Sequence, residues 1–104
     1  FIYLEMDSLE SAIFDINRSI VLNPKNGWAY RNKGIYWMKK GDYEKAISLF
    51  NRAITSNEFI DKLYFYLGNA HKKVNNLEAA CTAWQKGAEL NEIESQEMID
   101  QNCE

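Results

Sequence analysis

The chain has few of the residues that carry catalysis or metal binding. Its 104 residues include one proline, one histidine and two cysteines. Two cysteines are too few for a disulfide scaffold, and positions 81 and 103 are badly spaced for a metal site. The phosphate-binding patterns G-x-x-x-x-G-K-S/T and G-x-G-x-x-G and the zinc pattern H-E-x-x-H are missing. We therefore expect no metal, no cofactor and no catalytic residue, and hence no enzyme.

Charge and hydropathy narrow the range of partners. The chain carries 12 basic and 15 acidic side chains, so its net charge of −3 gives no overall positive field to attract nucleic acid. No apolar run approaches the roughly 18 residues of a membrane span, and no signal peptide is visible. We expect neither nucleic-acid binding nor membrane insertion, and we expect a cytoplasmic location by default.

What the chain does have is an internal repeat with a period of about 34 residues. Shifted by that spacing, the sequence brings Ala12, Ala46 and Ala80 to one position without a gap. Further positions match in chemistry, and they hold Leu9, Tyr43 and Leu77, then Glu10, Glu44 and Glu78, then Ile16, Phe50 and Trp84, then Arg18, Arg52 and Lys86, then Asn23, Asn57 and Asn91, and the pairs Tyr30 with Tyr64 and Gly34 with Gly68. Such a period indicates a stack of similar units.

Each unit is predicted to contain two helices. Ser8, Asp42 and Asn76 precede the apolar-periodic stretches and are good N-cap residues. Within the second unit an apolar stripe follows helical spacing, through Ala46, Phe50, Ala53 and Ile54. The preceding helices are predicted at about Trp28–Lys39 and Ile60–Val74, and a last short helix at about Glu94–Asn102.

The repeated pattern resembles the tetratricopeptide repeat over about residues 1–94. The matching residues are Leu9, Ala12, Ile16 and Pro24, then Tyr30, Gly34, Trp37, Gly41, Asp42, Tyr43, Ala46, Phe50 and Ala53, then Tyr64, Leu67, Gly68, Leu77, Ala80, Trp84 and Gly87. The stretch Ala79–Ile99 also resembles the related Sel1-like repeats.

The resemblance implies a single all-α domain over residues 1–104, a right-handed solenoid of helical hairpins. It would hold about 2.7 repeats: a partial repeat at 1–26, full repeats at 27–60 and 61–94, and a capping helix at 95–104. Solenoid ends are commonly closed in this way. The first helix of the first repeat would be reduced to Phe1–Met6.

The resemblance also implies that the first helix of each pair lines a concave, peptide-binding surface. Its lining residues would be Trp28, Arg31, Asn32, Ile35, Met38, Lys39, Lys62, Phe65, Tyr66, Asn69, Lys72 and Lys73. The expected function is that of a protein–protein interaction module, a scaffold or adaptor that binds a peptide segment of a partner. The basic residues would favour an acidic or C-terminal segment.

Several residues also have a purely structural interpretation. Trp28 could instead cover the neighbouring helix pair, and lysines in a last helical turn complement the helix dipole. His71 is expected to fill the place of a packing aromatic residue. The carboxylates near the C-terminus are expected to form a solvated helix face, made of Glu92, Glu94, Glu97 and Asp100.

Three other functions fit parts of the sequence. The alternative to peptide binding is a structural element that self-associates through its N-terminal face, with Ile2 and Leu4 as contacts. A clamp for the C-terminal carboxylate of heat-shock chaperones would use Asn32 and Lys62, but Tyr66 and Phe1 do not match it. An RNA-binding helical repeat has a similar period, but the acidic charge argues against it.

The two cysteines are equally far along the chain from the turn near Glu92, one before it and one after it. If the flanking helices are antiparallel, both side chains lie about 16 Å from the turn and face each other. Cys81 and Cys103 can therefore form a disulfide that pins the last helix, which would indicate an extracytoplasmic location. The alternative is a pair of reduced cysteines that act as small apolar side chains.

Overall fold

A computed structural model describes residues 2–56 and 60–103, and it describes side chains at residue 11 and from residue 13 onwards within those ranges. This part of the chain is helical throughout and contains no strand. Its six helices are α1 (Ile2–Leu22), α2 (Gly27–Lys40), α3 (Tyr43–Ile54), α4 (Leu63–Lys73), α5 (Leu77–Glu89) and α6 (Ile93–Asn102). The expected all-α solenoid of helical hairpins is confirmed.

The hairpins α2–α3 and α4–α5 begin and end as the sequence dictates. Asp42 and Asn76 are the N-caps of α3 and α5, and their side chains accept hydrogen bonds from the backbone N–H groups of Lys45 and Ala79. Gly41 ends α2 with φ 87°, a left-handed conformation that glycine adopts without steric cost. These caps satisfy backbone groups that a helix end leaves unpaired.

The N-cap predicted at Ser8 is wrong, because Ser8 lies inside α1, which runs unbroken for 21 residues. The turn that ends the first helix of the later hairpins has a left-handed residue, Gly41 or Asn75. Asp7 stands at the equivalent place. Aspartate is less suited than glycine or asparagine to a left-handed C-cap, and here the chain continues as helix.

The start of α4 also differs from the prediction. The helix begins at Leu63 and not at Ile60, because Lys62 takes a left-handed φ of 62° just before it. Ile60 is nonetheless buried, in the same apolar cluster as Leu63 and Phe50. The residues between the hairpins therefore contribute to the core without being helical.

Each hairpin is held together by one large aromatic ring against a glycine. Phe50 of α3 and Trp84 of α5 are fully buried. A Cβ atom at Gly34 or Gly68 would collide with the Phe50 or the Trp84 ring respectively. Glycine is thus required at both places for the paired helices to approach this closely.

The helices are stacked so that alternate ones share a side. Neighbours in sequence pack together, and in addition α2 contacts α4 and α4 contacts α6. Within the described ranges, α3 does not contact α1 or α5 in this way. We call the side formed by α2, α4 and α6 the inner face, and the side formed by α1, α3 and α5 the outer face.

The last helix, α6, takes the place that the first helix of a further hairpin would take. It packs on α5 and contacts α4, as α4 packs on α3 and contacts α2. Most of its exposed positions are polar, including Gln96, Glu97 and Gln101, although Ile93 at its start is 71% exposed. A terminal helix with a polar outer side is what a solenoid end requires.

Candidate functional site

The inner face carries the residues that were predicted to bind a peptide. All of the predicted positions on α2 lie at helical spacing along one side of it, and those on α4 do the same, except that Lys62 is the residue before α4 begins. Ile35, Met38 and Tyr66 are half-buried and pack against the core. Of the predicted set, Trp28, Lys39, Lys72 and Lys73 are exposed.

Trp28 is an exposed aromatic residue of this face, with 39% of its surface exposed. The Arg31 guanidinium lies over its indole ring, with 4.7 Å between the guanidinium carbon and the ring centroid. Arg31 also donates a hydrogen bond of 2.8 Å to the backbone carbonyl of Asp61 and two to the side-chain oxygen of Asn32. The ring and the guanidinium therefore form one ordered surface at the junction of α2 with the α3–α4 connection.

Phe65 and Tyr66 form a second aromatic group, with ring centroids 5.4 Å apart and in edge contact. Tyr66 also stacks on the core ring of Phe50, at 6.2 Å between centroids. Phe65 is half-buried, and its backbone carbonyl accepts a hydrogen bond from the Trp84 indole N–H. Tyr66 is thus largely used in packing, which leaves Phe65 as the freer ring of the two.

Glu92 departs from the prediction of a solvated carboxylate, because only 4% of its surface is exposed. Its Oε1 accepts hydrogen bonds from the Phe65 backbone N–H, at 3.1 Å, and from the Ser95 hydroxyl, at 2.9 Å. Burial raises the pKa of the Glu92 carboxyl, and these hydrogen bonds oppose the rise. Lys62 makes no side-chain cap at the start of α4. Glu92, far later in the chain, instead accepts a hydrogen bond from the Phe65 backbone N–H in the first turn of that helix.

The basic strip predicted on this face is partly engaged within the chain. Lys62 pairs with Glu94 of α6 at 3.5 Å, and Arg31 is held as described. The exposed lysines Lys39, Lys72 and Lys73 lie in the last turns of α2 and α4. Positive charge on the inner face is therefore concentrated at the C-terminal ends of these two helices, beside the dipoles that favour it.

The site predicted from the sequence omitted the contribution of α6. Because α6 takes the next place on the inner face, its residues at the repeated positions also belong to that surface. One repeat beyond Lys62, Phe65 and Tyr66 stand Gln96, Ile99 and Asp100. The same alignment that revealed the repeat would have found them, but the prediction gave the last helix only the role of a cap.

Cys81 and Cys103 are joined by a disulfide that ties the C-terminal end of α6 to α5. Their Cα atoms are 6.0 Å apart, within the usual range for such a bond. One repeat earlier, the same two positions hold Ile47 and Asn69, and one repeat before those they hold Ile13 and Ile35. The bond therefore occupies a recurring position at which the second helix of one hairpin faces the first helix of the next.

His71 lies away from the inner face, on the side of α4 that faces α5. Burial lowers the pKa of its imidazole, and the nearby Glu44 carboxylate opposes this effect. It lines a groove with Tyr64 and Leu67 of α4 and with residues of α5. Within the described part of the chain, no group of three histidine, cysteine or acidic residues is placed to hold a metal ion.

Comparison with known proteins agrees with this geometry. Residues 27–58, which hold α2 and α3, match the family model described as tetratricopeptide repeat. Residues 27–58 therefore form a tetratricopeptide repeat. Tetratricopeptide repeat protein 12 of Mus musculus is 32% identical to it over 82 residues, which make up 79% of this chain and 12% of the mouse protein. The resemblance to this family is confirmed, whereas the Sel1-like resemblance of Ala79–Ile99 stays a prediction.

Tetratricopeptide repeats generally mediate protein–protein interactions, and proteins of this family are generally non-enzymatic scaffolds. None of the described helices is long and apolar enough to cross a membrane. The inner face carries ordered aromatic and basic groups on its exposed side.

Proposed function

We propose that this chain is a protein–protein interaction module that binds a peptide segment of a partner on its inner face. The observation that carries the proposal is the exposed Trp28 ring with Arg31 held over it. Aromatic and arginine side chains supply much of the binding energy at protein interfaces. Because Arg31 is already fixed by the Asp61 carbonyl, little side-chain entropy is lost when a ligand covers the pair.

The exposed lysines suggest the orientation and charge of the peptide. Lys39, Lys72 and Lys73 lie at the C-terminal ends of α2 and α4, whereas Trp28 lies in the first turn of α2. A segment that places an apolar residue on Trp28 and runs towards the lysines would bring an acidic residue or a C-terminal carboxylate to them. Phe65 of α4 and Ile99 of α6 extend the apolar part of this surface.

A double variant tests the proposal. Trp28→Ala with Phe65→Ala should lose the partners that the unchanged chain captures from a lysate of its source, while its far-ultraviolet circular dichroism stays the same. Leu77→Ala is a matched control, because Leu77 is 45% exposed on α5, which belongs to the outer face. Unchanged capture by the double variant would remove the residue-level basis for inner-face binding.

A charge variant tests the preference for an acidic segment separately. Replacing Lys39, Lys72 and Lys73 by glutamine should weaken capture of the same partners and reduce its dependence on salt concentration. If capture and its salt dependence both stay unchanged, the lysines serve only the helix dipoles and the acidic-segment part of the proposal is wrong.

A second candidate function is self-association through the N-terminal part of the chain, as in a structural element of a larger protein. The side chains of Ile2 and Leu4, predicted as contacts, lie outside the described residues. Two other α1 residues support this candidate, since Phe14 is 69% and Val21 is 78% exposed. Large exposed apolar side chains grouped on one helix are typical of association surfaces.

A further inference from the structure

Each hairpin has a groove between its two helices, away from the inner face. The two grooves are at equivalent positions but differ in the side chains that fill them. In the groove of α2–α3, the Lys45 ammonium lies 4.0 Å from the centroid of the Trp37 ring. Leu49 packs against the core beside them. At one end, the Arg52 guanidinium lies 5.3 Å from the Tyr30 ring centroid. The chain thus fills the middle of this groove with Lys45, Trp37 and Leu49, whereas Tyr30 and Arg52 line a pocket of about 510 Å³ beside the α1–α2 connection.

In the groove of α4–α5, smaller side chains stand at the equivalent positions. Ala79 replaces Lys45, Ala83 replaces Leu49 and His71 replaces Trp37. An open groove of about 660 Å³ results, with Tyr64, Leu67 and Ala83 among its lining residues. Relative to its counterpart, this groove lacks a cationic stem, an aliphatic side chain and part of an aromatic one.

The outer side of α1 offers the side chains that this groove lacks. Phe14, Arg18 and Val21 follow helical spacing along it and are all exposed. At the positions of Phe14 and Val21, the other outer helices carry polar residues, namely Ser48 and Thr55 in and just after α3 and Thr82 and Glu89 in α5. An aromatic, a basic and an aliphatic residue are therefore displayed together on one exposed side of α1.

We propose that the chain associates head to tail, with the outer side of α1 of one copy seated in the α4–α5 groove of a second copy. The apolar floor would receive Phe14 and Val21, and Arg18 would reach Glu78 on the rim. This inference rests on the self-association candidate described above and names its acceptor surface.

Charge complementarity supports the pairing and fixes its direction. The rim of the groove carries Glu78 at the start of α5 and Lys86 near its end. The exposed side of α1 carries Asp15 and then Arg18. When α1 of one copy lies antiparallel to α5 of the other with Arg18 beside Glu78, Asp15 lies on the side of Lys86, whereas a parallel arrangement would bring like charges to the same sides. Glu44 of α3 adds negative charge at the same end, close to His71.

A head-to-tail contact joins two different surfaces, so unlike a symmetric dimer contact it does not limit the assembly to two copies. Each copy uses α1 on one neighbour and offers its groove to another, so association continues beyond two copies unless a ring closes. The weight-average mass should therefore rise with concentration from the monomer value of 12.1 kDa and should not level off at twice that value.

Sedimentation equilibrium with complementary variants tests the inference. The groove variant takes its residues from the filled hairpin, as Ala79→Lys with Ala83→Leu. The face variant takes the polar residues of the other repeats, as Phe14→Ser with Val21→Thr. Each variant alone should stay at the monomer mass, whereas an equimolar mixture should form a complex that stops at two chains. Each disabled copy then retains the surface that the other has lost.

Charge reversal covers the case in which the groove variant does not fold, since Ala83 is buried. Arg18→Glu and Glu78→Arg should each reduce association, and the two together should restore it.

Two outcomes separate the inference from the candidate on which it rests. If the face variant abolishes association but the folded groove variant and Glu78→Arg do not, α1 self-associates through another surface and the inference is wrong. If the unchanged chain remains monomeric at every concentration, both are wrong.

Discussion

The α2–α3 and α4–α5 hairpins share one architecture and differ in what surrounds it. Both pack a large aromatic ring, Phe50 or Trp84, onto a glycine of the facing helix. The first hairpin fills the middle of its groove with Lys45 and Trp37, whereas the second leaves its groove open and is tied to α6 by a disulfide. The shared positions thus build the solenoid, and the positions that differ are the ones available for binding and for closing the end.

The largest expected effect tests whether the two central rings are equivalent. Phe50→Ala and Trp84→Ala should each lower the free energy of unfolding by about 3–5 kcal/mol, because each leaves a cavity at a fully buried site. Denaturant titration followed by circular dichroism measures this. Leu22→Ala, at the end of α1 where the side chain is 78% exposed, is the control and should change the free energy by less than about 0.5 kcal/mol. A small effect at either ring would show that the hairpins do not share one packing scheme.

The next effect concerns the disulfide, which the first hairpin lacks. Removing the bond between Cys81 and Cys103 should cost about 3 kcal/mol in the chain-entropy model for a loop of this length. Thermal unfolding with and without reductant measures the loss, and the double variant Cys81→Ser with Cys103→Ser should not respond to reductant. If the unchanged chain unfolds at the same temperature in both conditions, the bond contributes nothing to the last hairpin.

A comparable but smaller effect is expected at the glycines that the hairpins share. Gly34→Ala and Gly68→Ala place a Cβ atom against a buried ring and should each cost about 1–3 kcal/mol through overpacking. Denaturant titration gives both values. We expect Gly68→Ala to cost more than Gly34→Ala. The Trp84 indole N–H also donates a hydrogen bond to the Phe65 carbonyl, so the Trp84 ring has less room to shift than the Phe50 ring.

The smallest expected effect is a pH dependence that comes from Glu92. Its pKa is raised in the folded chain, mainly by burial. The folded state therefore holds the proton more tightly than the unfolded state, so this contribution to stability is present below the ordinary carboxyl pKa and is lost as pH rises through the raised value.

Glu92→Gln removes that titration while keeping an oxygen acceptor for Phe65 and Ser95. We expect its free energy of unfolding to fall less than that of the unchanged chain as pH rises through the acidic range, because the variant has no carboxyl proton to lose at this position. Glu97→Gln is the control, because Glu97 is an exposed carboxylate of the same helix and does not contribute to the raised pKa of Glu92. Parallel pH profiles for Glu92→Gln and the unchanged chain would contradict the assignment.

The repeat made most of the fold predictable, because it supplies several independent copies of each local pattern. Asp42 and Asn76 were predicted as N-caps and act as such. Ser8 was predicted by the same alignment and is helical, since the preceding Asp7 does not end the helix as Gly41 and Asn75 do. A single turn residue therefore decided whether an aligned position became a helix boundary.

The candidate site was predictable only where it follows the repeat. The inner-face positions of α2 and α4 follow the spacing of the repeat, and so do Gln96, Ile99 and Asp100 of α6. The burial of Glu92 could not be predicted from local sequence, because its hydrogen-bond donor, the Phe65 N–H, belongs to a different helix far earlier in the chain. The open groove likewise arises because Ala79, Ala83 and His71 are all smaller than their counterparts in the first hairpin. A pattern of apolar and polar positions does not report side-chain size.

The disulfide at the end of α6 has a thermodynamic consequence for the inner face. At its start, α6 is held by Glu92 and by the pair of Glu94 with Lys62, whereas Cys103 holds its other end. A peptide that contacts Ile99 or Asp100 binds a surface whose position depends on that bond. If reduction weakens such a peptide's affinity by some factor, bound peptide must shift the equilibrium between dithiol and disulfide towards the disulfide by the same factor. Ligand occupancy and cysteine oxidation are then two readouts of one coupling free energy.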